Sequence, residues 1–321
     1  MRILLTGATG FVGRHLYPAL VAAGCDVRCA TRDVYAANRN HPAREWVKLD
    51  VERPDTVEAA FEGCDAAFYL IHSMAQGSDY PEREARGARN FARAADAKGV
   101  RRIVYLGGVL PSGGRISRHL ESRHNTGEIL RAGAVSTIEL RAAMIIGAGS
   151  ASWMMVKDLA ARLPAMVLPR WLRNHSYPIA IDDVVWGMLA ALIHPGGGSR
   201  TFELPGPERI SHRDVLRRVA ALLGHSRLMV NVPVLSPRLS SYWIALVTRV
   251  DLELAKELVE GVRHDLEPRE DILWEHARHR AMAIEAAAQL ALDDARAQCI
   301  PSAAAIARMQ TIGSEFADEL S

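Results

Sequence analysis

The chain has 321 residues, of which 39 are Lys or Arg and 37 are Asp or Glu, so its formal charge is +2. That near-balance gives no global attraction to nucleic acid, and 49% hydrophobic with 24% charged residues excludes wholesale disorder. The length suits about two domains, or one large one with an appendage, and buries enough surface to need no staples. The four cysteines, Cys25, Cys29, Cys64 and Cys299, form no CxxC pair and no metal spacing, which argues against a disulfide framework. Met1 runs straight into an apolar strand pattern, without the layout of a signal peptide. The uncharged stretch Ala142–Val156 is 15 residues long, too short for a bilayer. A cytoplasmic protein with no transmembrane segment is therefore expected.

The first half alternates short apolar runs with helical patterns. Strands are expected at Arg2–Thr6, Asp26–Thr31, Val47–Leu49, Ala66–Ile71, Arg102–Leu106 and Ser136–Leu140. Helices are expected at Val12–Ala23, Thr56–Phe61, Glu82–Lys98 and Glu121–Arg131. Such alternation, with strands apolar throughout, means a parallel sheet covered on both faces.

After Gly149 the rhythm changes. Helices are expected at Trp153–Leu163, at Asp182–Ile193 with Asp182 as its cap, at Val215–Leu223 and at Asp251–Arg263. Thr201–Leu204 and Leu228–Val232 read as strands, and Ser211 with Asp214 forms an acidic variant of the capping box. From Asp271 on there are 14 alanines and only one proline and one glycine, which predicts a helical tail broken at Pro301. The tail is expected to pack on the body or on a second subunit, so a homodimer stays open. These shifts divide the chain at 1–150, 151–265 and 266–321: a nucleotide-binding part, a substrate portion and the tail.

The strongest local signal is Thr6-Gly7-Ala8-Thr9-Gly10-Phe11-Val12-Gly13, directly after the first strand and opening a helix. Gly7 and Gly10 let the backbone turn tightly and approach a pyrophosphate, Gly13 lets the helix pack on the sheet, and the helix N-terminus supplies N–H donors. The second strand ends in Arg32-Asp33, and Arg14 follows the last glycine. Two guanidinium groups suit an adenosine 2′-phosphate and favour NADP(H), while Asp33 keeps NAD(H) open through the ribose hydroxyls. Asp50-Val51, after the third strand, would flank the adenine.

On these residues the chain resembles the short-chain dehydrogenase/reductase superfamily, and most of all its extended and atypical, epimerase-like and NmrA-like branches. TGATGFVG (Thr6–Gly13) is similar to their fingerprint, and Leu49-Asp50-Val51 to their adenine-contacting segment. Tyr69-Leu70-Ile71-His72-Ser73-Met74 resembles the tip of their fourth strand. Leu140-Arg141-Ala142-Ala143-Met144-Ile145-Ile146-Gly147 resembles a segment near the nicotinamide. Ile179–Val184 and Phe202–Gly206 resemble later landmarks, so the likeness spans residues 1–265. It implies a Rossmann-type doubly wound α/β sheet, a smaller mixed α/β substrate portion and the helical tail. It also implies cofactor contacts at Leu70, Ile71, Gly107 and Ile146.

The superfamily's catalytic pattern is a Ser or Thr after the fifth strand and a Tyr-x-x-x-Lys on the next helix. Here Leu106-Gly107-Gly108 carries no hydroxyl, and no tyrosine is followed four residues later by lysine. At that place stand His119 and Arg123, which share a helix face. Only four of the 39 basic residues are lysine, so an arginine in a lysine's place says little by itself. Histidine exchanges a proton near neutral pH and arginine holds hydroxyls without releasing one. His119, Arg123 and His72 are therefore the candidate catalytic residues, set against a reading of all three as supporting or solvated side chains. Ser117 and Ser122 are further hydroxyls there.

His276-x-x-His279 lacks a third metal ligand, and His212-Arg213-Asp214 reads as a helix start. Trp153, Met154, Met155, Met166, Trp171, Trp186, Tyr242 and Trp243 concentrate bulk in the second half, as core or as the lining of a pocket for a flat apolar acceptor. Leu239–Trp243 is also a candidate surface for lipid or quinone. Together these readings predict an NAD(P)H-dependent oxidoreductase that reduces a small hydrophobic carbonyl, C=C or C=N compound. The alternative is a non-catalytic NAD(P)H-binding sensor or accessory protein.

Overall fold

The computed structural model describes residues 1–72, 79–111, 113, 116–162, 165–225, 228–232, 247–248, 251–269, 271–297 and 299–320. Ser73, Met74, Arg115 and Leu239–Trp243 lie outside them, as do the side chains of 165–168 and 228–232.

Seven parallel strands build the central sheet: β1 (Arg2–Leu5), β2 (Asp26–Thr31), β3 (Glu45–Lys48), β4 (Ala66–Tyr69), β5 (Arg102–Gly108), β6 (Ser136–Ala142) and β7 (Arg200–Glu203). Their order is β7-β6-β5-β4-β1-β2-β3, so the winding reverses between β1 and β4. Alternate residues supply the two faces. Ile3, Leu5, Phe68, Val104 and Leu106 enter one core, and Leu4, Ala67, Tyr69, Ile103 and Tyr105 the other. That double burial is why these strands read as continuous apolar runs.

The helices are α1 (Phe11–Ala22), α2 (Val34–Asn40), α3 (Pro54–Ala60), α4 (Tyr80–Ala97), α5 (Arg118–Arg131), α6 (Ala151–Arg162), α7 (Ile181–Ile193), α8 (His212–Leu222), α9 (Leu252–Gly261), α10 (Ile284–Asp294) and α11 (Ala303–Ser314). Ser117 caps α5 and Ser211 caps α8, accepting from the Leu120 and Asp214 amides. Three expectations change. Helix α2 carries no apolar period; it forms because Asp33 accepts from the Ala36 amide and caps it. Asp182 is not a cap, since Ala180 holds that position. Instead Asp182 lies in the first turn of α7 and pairs with Arg308 at 2.8 Å. In the alanine-rich tail, only 273–276 of residues 271–283 form helix.

The packing also crosses the divisions drawn at 150 and 265. Strand β7 belongs to the main sheet, parallel to β6. The tail returns to the body: a Cβ on Gly313 of α11 would sit 2.0 Å from the Ala19 carbonyl oxygen of α1. Arg308 holds the crossing through Asp182 and Asp294, each at 2.8 Å. A second core joins α6, α8, α9 and α10 through Trp153, Leu159, Val215, Val259 and Ala288. Cys25, Cys29 and Cys64 are buried, as small hydrophobes are, and Cys299 is exposed. Among the described residues no helix is long and apolar enough to cross a membrane.

Candidate active site

In a doubly wound sheet, ligands bind beyond the carboxyl ends of the strands where the winding reverses. Here that place is between β1 and β4. Thr6 ties the two exits together: its hydroxyl donates to the Phe68 carbonyl at 2.8 Å and accepts from the Leu70 amide at 3.0 Å. The glycine loop lies directly on this junction. Gly7 has φ +63°, and a Cβ there would meet the Leu70 carbonyl oxygen at 2.6 Å. A Cβ on Gly13 would meet the Gly7 carbonyl oxygen at 2.3 Å, so α1 starts as close to the loop as backbone allows. Gly10 is the N-cap of α1, with no side-chain cap and no acidic residue in the first turn. Amide donors, a positive dipole end and room for close approach fit the pyrophosphate of a dinucleotide.

From this loop a cavity of about 800 Å³ runs across the strand ends to a wall that includes Ser150, Met155, Trp171, Val215, Leu258 and Leu266. Gly7, Gly10, Phe11, Val12, Gly13, Leu70, Ile71, His72 and Gly107 line it, as do His119 and Arg123. Ile146 does not: Ile145 faces the cavity and Ile146 turns into the second core. Thr9 of the glycine loop, Arg14 of α1, Arg32 after β2, and Asp50 and Val51 after β3 also lie off this cavity. Thr9 and Arg32 are exposed. Arg14 donates to the Ile300 carbonyl at 3.1 Å. Asp50 accepts from the Glu52 amide at 3.0 Å, and the Val51 carbonyl accepts from Asn90 at 2.8 Å. The sequence reading missed Arg44, which lies 4.0 Å over the Tyr17 ring. Burial, then the charges of Arg44 and Arg14, lowers the His41 pKa, which marks this corner as electropositive.

At the strand-end wall, Leu106-Gly107-Gly108 has a reason to lack side chains. A Cβ on Gly107 would sit 2.9 Å from the Glu139 carboxylate, and one on Gly108 3.0 Å from Leu120. Helix α5 is pinned over them. The Tyr105 hydroxyl donates to the Arg123 carbonyl at 2.9 Å, and the Arg123 guanidinium donates to the Leu106 carbonyl. The Ser122 hydroxyl is committed to Glu84, away from chemistry. Burial, with the positive charge of Arg123, pushes His119 down to about 3 and His72 down to about 4. The His72 ring lies deep in the protein mass but keeps surface toward the cavity. At neutral pH both imidazoles are uncharged, so neither exchanges an imidazolium proton in the neutral range. The His119 Nδ1 is buried without a protein partner. Glu257 of α9 lines the same wall; its carboxylate accepts from the His119 amide, and burial raises its pKa.

The far wall was not foreseen as polar. Ser150 and Ser152 line it with their hydroxyls 3.1 Å apart, together with Trp171, Ser176 and His212. His212 had been read only as part of a helix start, and Trp171 as core or as the lining of a pocket for a flat apolar acceptor. His276 packs edge-on against Phe202, and His279 bonds Asp183 at 2.9 Å. No metal cluster occurs among the described residues.

Known proteins share parts of this geometry. The family model described as NAD(P)H-binding matches residues 7–157. The solved structure of Citrobacter sp. triphenylmethane reductase with NADP(H) superposes with TM-score 0.69 at 17% identity, covering 90% of this chain and 100% of that one. The family match shows an NAD(P)H-binding segment over residues 7–157, and the superposition, at under 25% identity, shows the Rossmann-type fold. Two curated relatives are reductases. The 4-hydroxy-2-methyl-3-oxo-4-farnesyl-3,4-dihydroquinoline-1-oxide ketoreductase of Stigmatella aurantiaca is 24% identical, over 77% of this chain and 82% of its own. The ceramide reductase of Caulobacter vibrioides is 27% identical, over 72% and 73%.

Proposed function

We propose that this protein is an NAD(P)H-dependent reductase of an apolar carbonyl compound or conjugated acceptor. The observation that carries the reading is the continuity of one cavity. It joins the glycine loop and the strand ends, where a dinucleotide fits, to an apolar chamber large enough for a second molecule. The ketoreductase and ceramide reductase names of the two relatives point the same way.

The bound nicotinamide supplies the hydride. The protein's part is to hold the acceptor against it and to stabilise the charge that develops on the acceptor oxygen. Arg123, anchored on Leu106, supplies fixed positive charge at the end of β5. His119, one turn earlier and uncharged, supplies a hydrogen bond to the acceptor oxygen, and the proton that completes the alcohol comes from solvent. Since His119 and His72 titrate near 3 and 4, neither changes state between pH 5 and 8. Turnover limited by chemistry should then show no inflection from either histidine in that range. His119→Ala should lower kcat by about a hundredfold and leave nucleotide affinity within about twofold. Multiple-turnover NADPH oxidation with a panel of quinones, enones, imines and long-chain ketones checks this. Tight NADPH binding with no turnover on any acceptor would replace the reductase reading by that of a nucleotide-binding sensor or accessory protein.

We also propose a preference for NADP(H). Asp33 caps α2 through Oδ1, Arg14 and Arg44 act together on His41, and the exposed Arg32 follows the end of β2. Arg32→Ala should weaken NADPH binding by about tenfold, the worth of one charge-assisted hydrogen bond, and NADH binding hardly at all. Equal losses in fluorescence titrations with the two nucleotides would remove the 2′-phosphate role.

A further inference from the structure

The far wall of the cavity holds polar atoms that the fold itself does not satisfy. The two-residue strand His175–Ser176 pairs antiparallel with Ile210–Ser211, Ser176 opposite Ile210. Residues opposite one another in such a pair project to one face, and His212 follows two residues after Ile210 at the start of α8. Ser176 is 0% exposed and His212 8%. Both line the cavity, yet the Ser176 Oγ and the His212 Nε2 have no hydrogen-bond partner among the described residues. The Trp171 indole N–H, on the same cavity, is also buried without a partner. Three unsatisfied polar atoms in one chamber are costly unless a ligand completes them.

Their chemistry narrows that ligand. The indole only donates, and the hydroxyl donates or accepts. Burial, and then the neighbouring His175, pushes His212 down to about 4, so at neutral pH its ring has one donor and one acceptor nitrogen. Arg123 and Glu257 carry the only formal charges among the described lining residues, and both belong to the strand-end wall: one bonds Leu106, the other the His119 amide. Among the described lining residues around Ser176 none carries a formal charge; the Asp265 carboxylate, which acts on His212 electrostatically, lies off the cavity and is engaged by the His175 amide and Arg209. Leu172, Met155, Val215 and Leu216 surround the polar atoms with hydrocarbon.

We propose that Ser176, His212 and Trp171 form a receptor for an uncharged oxygen, a hydroxyl or carbonyl, at the remote end of a long apolar substrate. The inference rests on the reductase reading for where the other end reacts, at His119 and Arg123. The receptor itself is a property of binding and is tested as such.

The probes are straight-chain methyl ketones from octanone to tetradecanone and their omega-hydroxy counterparts. Affinity is read by calorimetric titration of the full chain, and turnover separately by NADPH oxidation. At the best-fitting length the hydroxy ketone should bind at least about tenfold more tightly than the plain one. In Ser176→Ala, and independently in His212→Gln, that preference should shrink several-fold while affinity for the plain ketone stays nearly the same. No preference at any length, a preference untouched by both substitutions, or no binding by any probe overturns the receptor. The two readings fail separately. Hydroxyl preference without NADPH oxidation keeps the receptor and removes the reductase. Equal affinity and equal turnover of both ketones keep the reductase and remove the receptor.

Discussion

A Gly10→Ala chain should keep its fold and lose most of its affinity for nucleotide. Gly10 has φ −78° and ψ 175°, a conformation open to any residue, so alanine brings no backbone strain. Within the protein an added Cβ meets only the Gly7 carbonyl oxygen, at 3.1 Å, and a shift of a few tenths of an ångström relieves that contact. What the methyl obstructs is the space over the first amides of α1, where the pyrophosphate must come close. Losing one or two charge-assisted hydrogen bonds costs about 2–4 kcal/mol, so NADPH affinity should fall about a hundredfold with the melting temperature nearly unchanged. Gly13→Ala makes the contrast. Its Cβ would lie 2.3 Å from the Gly7 carbonyl oxygen and 2.8 Å from the Ala8 Cα, both backbone, so α1 itself must move. That variant should lose stability and binding together. Paired thermal melts and NADPH titrations separate the two glycines; wild-type affinity in Gly10→Ala would mean the loop does not hold the phosphates.

The same contrast explains what could be read from residues alone. The glycine loop, the sheet strands and the Ser211 cap depend on neighbours close in sequence, and their patterns are strong. Asp33 was open to two readings because one carboxylate can serve a ribose, a helix start or both, and only the fold shows that its Oδ1 caps α2. Asp182 looked like a cap for want of its partner Arg308, 126 residues away. Alanine content suggested helix across 271–283, but composition does not supply the tertiary support that short helices need. The missing hydroxyl at Gly107 and Gly108 was legible; its cause, Glu139 lying beneath Gly107, was not. The far wall was hidden for a related reason. A pair of two-residue strands, 175–176 and 210–211, has no detectable period, and only their pairing puts Ser176 beside His212.

Glu139 is where a single change should cost the fold most. Its side chain is fully buried, with carboxylate oxygens 2.9 Å from the Nε of Arg131 and 2.9 Å from the Nε of Arg141. Arg141 is itself almost wholly buried. Gly127 and Gly107 close around the carboxylate, at distances of 2.5 and 2.9 Å from where their Cβ atoms would lie. Glu139→Gln preserves the shape and removes the carboxylate charge that Arg131 and Arg141 share. Breaking a buried pair in this way costs about 3–5 kcal/mol, or roughly 10 °C in melting temperature for a chain of this size. Because Glu139 supports Gly107 on the cavity floor, turnover in the folded fraction should fall as well. The double variant Glu139→Leu with Arg141→Met replaces the pair by hydrocarbon and should recover much of the lost stability, since apolar packing substitutes for buried ions without a desolvation penalty. A melt of Glu139→Gln within a degree or two of wild type would show that this carboxylate is not a structural charge. Recovery in the double variant without recovery of turnover would assign the pair's remaining role to the floor of the site.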